Sequence, residues 1–287
     1  MRTTGTVLDD IIEGVREDLA RRREAVPEAE MLRRAREATP ALDARAFLES
    51  DGTTMGLIAE VKRSSPSKGA LADIPEPAEL AATYAGSGAS AISVLTEERR
   101  FRGTLADLDA VRERVRVPVL RKDFVVEPYQ VLEARAHGAD LVLLIVAALD
   151  DETLRSLYQL IHEHGMQALV ETHTEEELER ALALGADLIG VNARNLKDLS
   201  VDLDRAAALL ARIPVGPLAI GESAVASVAD VEAYAAAGAD AVLVGEALVT
   251  SGDPAASVAS FRGVARRGRP RTGSTQTGRP QTEGAQA

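Results

Sequence analysis

The sequence contains no cysteine and no tryptophan. The first absence rules out disulfides, a thiol nucleophile and any cysteine-held metal. The second, with aromatic residues at only 3%, means that a core must be built from Ala, Val, Leu and Ile. Long apolar runs are missing too. Leu141 to Leu149 is the longest, too short to span a bilayer, and Met1 to Glu13 has no apolar signal core. Positive charge is in the minority. A net charge of -12 argues against a general nucleic-acid binder and against an anionic-membrane binder. It leaves room for an anionic small molecule, because a local cluster of Lys and backbone N–H groups opposes the global sign. Metal-ligand spacing is also lacking. His162 and His164 lie two apart on a predicted helix and do not face each other, while His137 and His173 stand alone. A cytoplasmic protein without metal is expected, monomeric or weakly homo-oligomeric.

The 287 residues, 46% of them hydrophobic, suit a large core, and one barrel domain reaches this length. Residues 7–25 read as an amphipathic helix, with Leu8, Ile11, Ile12, Val15 and Leu19 on one stripe. Helical pieces near 28–38 and 43–50 complete an N-terminal extension over residues 1–50. From Gly56 the chain alternates. Strand-like runs lie near 56–62, 90–95, 117–122, 140–146, 167–172, 187–192, 217–222 and 240–245, with Ala-, Leu-, Glu- and Arg-rich helical segments between. Gly-Ala followed by Asp or Ser recurs at Gly88, Gly138, Gly185 and Gly238, each placing Gly at a helix end just before a strand. Eight such units predict a (β/α)8 barrel, of the α/β class, over residues 1–266. An open doubly wound sheet ranks lower, because no Gly-rich dinucleotide fingerprint follows the first strand. Residues 267–287, nearly devoid of apolar side chains, are expected to be a disordered tail.

Chemistry gathers where the strands end. Side chains alternate along a strand, so Ile58, Glu60 and Lys62 share a face. An acid and a base there are either a structural ion pair at the rim or catalytic groups. The pattern repeats. Lys122 follows Leu120, and Glu171 follows Leu169. Asn192 and Arg194 end the sixth run, Glu222 and Ser223 the seventh, and Leu243, Gly245 and Glu246 the eighth. Active sites of such barrels lie at the C-terminal strand ends, so convergence there marks a catalytic mouth. Lys62 and Lys122 suit anion binding or proton donation, and Glu60, Glu171 and Glu222 suit a base or acceptor. The small residues around Ser223, Ala224 and Gly245 let backbone N–H groups approach a phosphate. The loop Ser64–Gly69, carrying Ser65, is placed to close over a ligand. Phe101, in a basic loop after the second run, either packs under that loop or faces a flat ring.

At these residues the chain resembles the indole-3-glycerol phosphate synthases of tryptophan biosynthesis, most of all those of actinobacterial type. The resembling segments include IAEVKRSSPSKG at Ile58–Gly69, ISVLTEERRFRG at Ile92–Gly103, PVLRKDFVVEPY at Pro118–Tyr129, IGVNARNL at Ile189–Leu196 and VLVGEALV at Val242–Val249. They run in family order over residues 5–262. The resemblance implies a barrel lyase that turns 1-(2-carboxyphenylamino)-1-deoxyribulose 5-phosphate into indole-3-glycerol phosphate, with loss of CO2 and water and no cofactor. It implies Lys122 as general acid and Glu171 as its partner. Glu60 and Lys62 would serve dehydration and binding. Asn192, with Arg194, Glu222 and Leu243, would contact substrate. Ser65, Ser223, Ala224, Gly245 and Glu246 occupy substrate or phosphate-loop positions, with Lys62 near the phosphate. Phe101, Phe124 and Leu143 resemble the apolar wall around the anthranilate ring.

One strand end departs from the family pattern. The usual Ala-Glu-Ser-Gly at the seventh strand end reads Gly221-Glu222-Ser223-Ala224. If residue 224 takes a positive φ, Ala costs about 1 kcal/mol and shifts the loop; if φ is negative, little changes. Two other readings compete with the lyase. One is a phosphoribosyl isomerase-like barrel, whose acid–base pair normally includes Asp or Cys. The other is a non-catalytic metabolite-binding barrel, in which Glu60, Lys62, Lys122 and Glu171 would have no reason to persist together.

Overall fold

The computed structural model describes residues 7–49, 52–195 and 199–269. Eight parallel strands close into a barrel: β1 (Gly56–Val61), β2 (Ala91–Leu95), β3 (Val119–Lys122), β4 (Leu141–Ile145), β5 (Gln167–Thr172), β6 (Leu188–Asn192), β7 (Leu218–Glu222) and β8 (Ala241–Val244). Each pairs with its neighbours in sequence, and β1 closes on β8 through Gly56–Ala241 to Ala59–Val244. The strands are buried nearly throughout, which is why they read as continuous apolar runs rather than as alternating ones. The open-sheet alternative is thereby excluded.

Helices α4 (Pro77–Gly86), α5 (Leu105–Arg114), α6 (Pro128–Ala136), α7 (Asp151–Glu163), α8 (Glu175–Leu184), α9 (Leu203–Arg212) and α10 (Val228–Ala236) connect successive strands, and α11 (Glu246–Val249) and α12 (Pro254–Arg262) follow β8. The starts of four of them are fixed by side-chain acceptors for the first free N–H groups. Thr104, Asp150, Thr174 and Asp202 each accept from the backbone N–H three residues on. At the other end of four connections, Gly88, Gly138, Gly185 and Gly238 take φ of +101°, +76°, +78° and +93°. That left-handed step ends the helix and turns the chain into the next strand.

The floor of the barrel is tied by two acids in equivalent positions. Asp140 accepts from the Val119 N–H at 2.8 Å and Asp240 from the Ala219 N–H at 2.8 Å. Arg112 pairs with the first, Arg266 and Arg269 with the second. Residues 267–269, expected in the tail, therefore include a buried ion pair, with the Arg269 side chain only 6% exposed. The rest of that expected tail, 270–287, lies outside the described residues.

Helices α1 (Val7–Ala25), α2 (Glu28–Glu37) and α3 (Ala44–Glu49) precede the barrel, close to the expected spans. Leu8, Ile11, Ile12 and Val15 of α1 join the main core, while Leu19 packs with Met31, Ala35, Tyr129 and Leu132 between α1, α2 and α6. Asp18 of α1 is paired to Arg99, whose Nε lies 2.9 Å from Asp18 Oδ2. This fastens α1 to the loop after β2, at the mouth.

Candidate active site

A cavity of about 1000 Å³ opens at the C-terminal ends of the strands. Every site residue expected from the sequence lines it: Glu60, Lys62, Ser65, Phe101, Lys122, Phe124, Leu143, Glu171, Asn192, Arg194, Glu222, Ser223, Ala224, Leu243, Gly245 and Glu246. Parallel pairing explains the convergence. Glu171 is in register with Gly190, Asn192 with Glu222, and Glu222 with Leu243.

Lys122 stands at the centre of the charge. Its Nζ is 3.4 Å from Glu171 Oε2 and 3.4 Å from Glu222 Oε2. Burial alone would lower its pKa, but the negative charges around it, that of Glu171 foremost, outweigh burial and push it up, so Lys122 stands as an ammonium. The two carboxyls are driven apart. Burial and the charge of Glu171 raise Glu222 to about 8. Glu171 faces the same burial, but Lys122 and His173 hold its carboxyl well below the usual range. One site thus contains a held cation, an ionised carboxylate and a carboxyl that keeps its proton near neutrality, the separation that acid–base chemistry needs.

Glu60 and Lys62 form a second pair at 2.7 Å. Ser93 Oγ also donates to Glu60, at 3.3 Å. Burial opposes ionisation of Glu60, but Lys62 and Lys122 prevail and lower its pKa. Two glycines make room for these carboxyls. A Cβ at Gly190 would stand 2.1 Å from Glu222 Oε1, and one at Gly245 would stand 2.5 Å from Glu60 Oε1. A methyl at either position displaces an acid.

The remainder of the mouth divides into an apolar wall and a polar rim. Phe101 and Phe124 stand with centroids 6.0 Å apart, tilted by 42°, beside Leu143 and Ile11 of α1. Asn192 Oδ1 accepts from Ser223 Oγ at 2.7 Å and from the Arg194 N–H at 2.9 Å. The Arg194 guanidinium donates to Leu199 O. Lys68, in the loop after β1, is ion-paired with Glu246 across the mouth. Ala224 has φ +58° and Ser223 +69°, so the positive-φ case holds at the departing position.

His173 is not isolated, as the sequence suggested. Its Nε2 lies 3.2 Å from Glu171 Oε1 and its Nδ1 3.0 Å from Glu177 Oε2. Position 173 follows 171 by two, so the strand period carried that signal. Gly190 was also missed, although glycine inside a strand marks a close approach.

At His173 burial opposes the charge, but Glu171 and Glu177 raise its pKa to about 9. A raised folded-state pKa means the stabilisation is complete below the unfolded value near 6.5 and is lost as pH rises through 9. The expected loss is on the order of 3 kcal/mol between pH 6 and pH 10. Urea midpoints across that range measure it; an identical loss in His173→Asn would assign it elsewhere.

The family model described as indole-3-glycerol phosphate synthase matches residues 8–261. The chain belongs to the indole-3-glycerol phosphate synthase family. An indole-3-glycerol phosphate synthase of Rhodococcus jostii (strain RHA1) is 61% identical over 256 residues, covering 89% of this chain and 94% of the relative. One from Mycolicibacterium gilvum (strain PYR-GCK) is 59% identical over 258 residues, covering 90% and 94%. The actinobacterial resemblance is therefore borne out. A solved 3-hexulose-6-phosphate synthase matches with a TM-score of 0.58 at 24% identity, over 72% of this chain and 98% of that one, a likeness of fold alone. Among the described residues no helix is long and apolar enough to cross a membrane.

Proposed function

We propose that this chain carries out the family's ring closure. It converts 1-(2-carboxyphenylamino)-1-deoxyribulose 5-phosphate into indole-3-glycerol phosphate, CO2 and water. The observation that carries the residue assignment is the central ammonium of Lys122, 3.4 Å from both Glu171 and Glu222, beside an apolar wall that accepts a flat ring.

Comparison of substrate and product defines the work. A carbon–carbon bond forms between the ring carbon bearing the carboxylate and the ketone carbon of the sugar chain. The ketone oxygen takes a proton, and Lys122 supplies it. Positive charge develops on the aniline nitrogen, and the ionised Glu171 stabilises it. The carboxylate leaves as CO2, which restores the aromatic ring. The new hydroxyl then departs as water after protonation, and the adjacent chain carbon loses a proton. Glu60 and Lys62 serve this second half. Glu222 holds its proton beside Lys122 and so limits the negative charge around the ammonium. Phe101, Phe124 and Leu143 hold the anthranilate ring, Leu243 and Ser65 border the chain, and Asn192 holds a hydroxyl. Ser223, Ala224, Gly245 and Glu246 receive the phosphate by their backbone N–H groups, with Lys62 adding charge. Folding a flexible chain over the ring is the larger part of the task.

The phosphorylated substrate and product do not cross membranes freely, which supports action in the cytoplasm. The large exposed apolar residues are few among the described residues, Phe47, Val201, Leu203, Val215 and Val228, consistent with a monomer or weak homo-oligomer. The test is turnover of the synthetic substrate by the purified full chain, followed by indole fluorescence without added metal. Indole formation is expected; its absence from a folded protein would overturn the reading.

A further inference from the structure

Ser223 and Ala224 are consecutive non-glycine residues in the left-handed region, at φ +69° and +58°. That conformation costs an L-residue about 1–2 kcal/mol, so something must impose it. Three contacts do. Ser223 Oγ is tied to Asn192 at 2.7 Å. Beneath the turn lies Tyr234 of α10, 3% exposed, and its hydroxyl stands 3.0 Å from Ser223 O and 3.1 Å from Glu222 O. The Glu222 carbonyl also accepts from the Ala193 N–H at 3.0 Å, so β6 and α10 grip it from two sides. Burial pushes the phenol pKa up, so the hydroxyl keeps its donor proton.

The ring reaches this position because residue 221 has no side chain. A Cβ there would lie 2.3 Å from Tyr234 Cδ1 and 2.5 Å from Cε1, distances that no ring tolerates without moving. Gly221 and Ala224 are the two departures from the usual strand-end pattern, and Tyr234 links them physically.

We propose that Tyr234 is a positioning residue for the phosphate-receiving turn: its hydroxyl holds the Glu222 and Ser223 carbonyls so that Ser223 and Ala224 stay left-handed, and Gly221 provides the space for its ring. The proposal rests on the assignment of that turn to the substrate phosphate. Tyr234 touches no substrate and acts only through the backbone. Ring packing and turn geometry are separable, because Tyr234→Phe keeps the ring and removes only the donor.

Tyr234→Phe is expected to raise KM about 5- to 10-fold, the size of one lost hydrogen bond, with kcat within about twofold of the parent. Ala224→Gly lowers the strain of the turn, so it is expected to lower KM in the parent chain and to recover most of the rise in the Tyr234→Phe chain. Gly221→Ala, which displaces the ring, should copy the KM effect of Tyr234→Phe. A purely structural role would lower the melting temperature and leave KM and its rescue untouched. Inorganic phosphate, assayed by its protection of the full chain against heat, provides a second readout free of turnover. Weaker protection in Tyr234→Phe, restored by Ala224→Gly, supports the proposal even if the assigned reaction fails. Unchanged phosphate protection and unchanged KM in Tyr234→Phe overturn it, as does a raised KM that Ala224→Gly leaves in place.

Discussion

Lys122→Ala is expected to lose about 10²- to 10⁴-fold of kcat, the range of a positioned proton donor, while the chain still folds. The loss follows from position. Lys122 is the only cation within reach of both Glu171 and Glu222 among the described residues, so no neighbour replaces its proton at the ketone oxygen. Folding survives because the freed carboxyls have an outlet: a buried acid without a cation takes up a proton rather than remaining charged. Lys122→Arg preserves the charge but not the chemistry, since guanidinium does not give up its proton, so it should rescue binding more than turnover. Steady-state kinetics with circular dichroism as the folding control decide the matter. Parent-like turnover in Lys122→Ala would remove this residue from the mechanism.

Arg121→Met is expected to act on stability instead. Arg121 is fully buried, with its guanidinium 2.9 Å from Asp123 Oδ2, 2.9 Å from Glu133 Oε2 and 2.9 Å from Gln130 O. Glu133 in turn accepts from Arg22 of α1 at 2.8 Å. Removing the inner cation leaves two buried carboxylates short of a partner, which costs about 3–5 kcal/mol. The melting temperature should fall by roughly 10 °C. Adding Asp123→Asn and Glu133→Gln should return part of the loss, since the uncompensated charges are then gone. A melting temperature within a degree or two of the parent would mean that the network is slack.

The barrel and the mouth were legible because they depend on short-range period. Glu60, Lys122, Glu171 and Glu222 each follow an apolar residue by two, and a parallel strand order carries such positions to one rim. Arg121 was not legible as a core residue. It points away from the barrel axis, and burial there comes from α6, whose residues 129–135 are all covered because α2 lies over them. A charge buried by two layers of helix leaves no mark in local sequence. The left-handed turn at Ser223 and Ala224 was open for a related reason: its geometry is set by Tyr234, eleven residues on in the chain. His173 was the reverse case. Its spacing from Glu171 was visible, but its second partner on α8 was needed to give the spacing meaning.

The closing of β1 upon β8 has a consequence for how the chain is made. Glu60 leaves β1 and Gly245 follows β8, and the two meet only where those strands pair. On the ribosome, β1 is an unpaired edge on that side until residues 241–244 have emerged, and the Thr54–Ala265 bridge beside it waits longer still. Loop closure over such a separation is slow and leaves strand edges open to wrong partners. No nascent chain short of the eighth strand carries a complete mouth, so the ability to bind substrate arrives in a single step, once that strand has emerged and paired with the first.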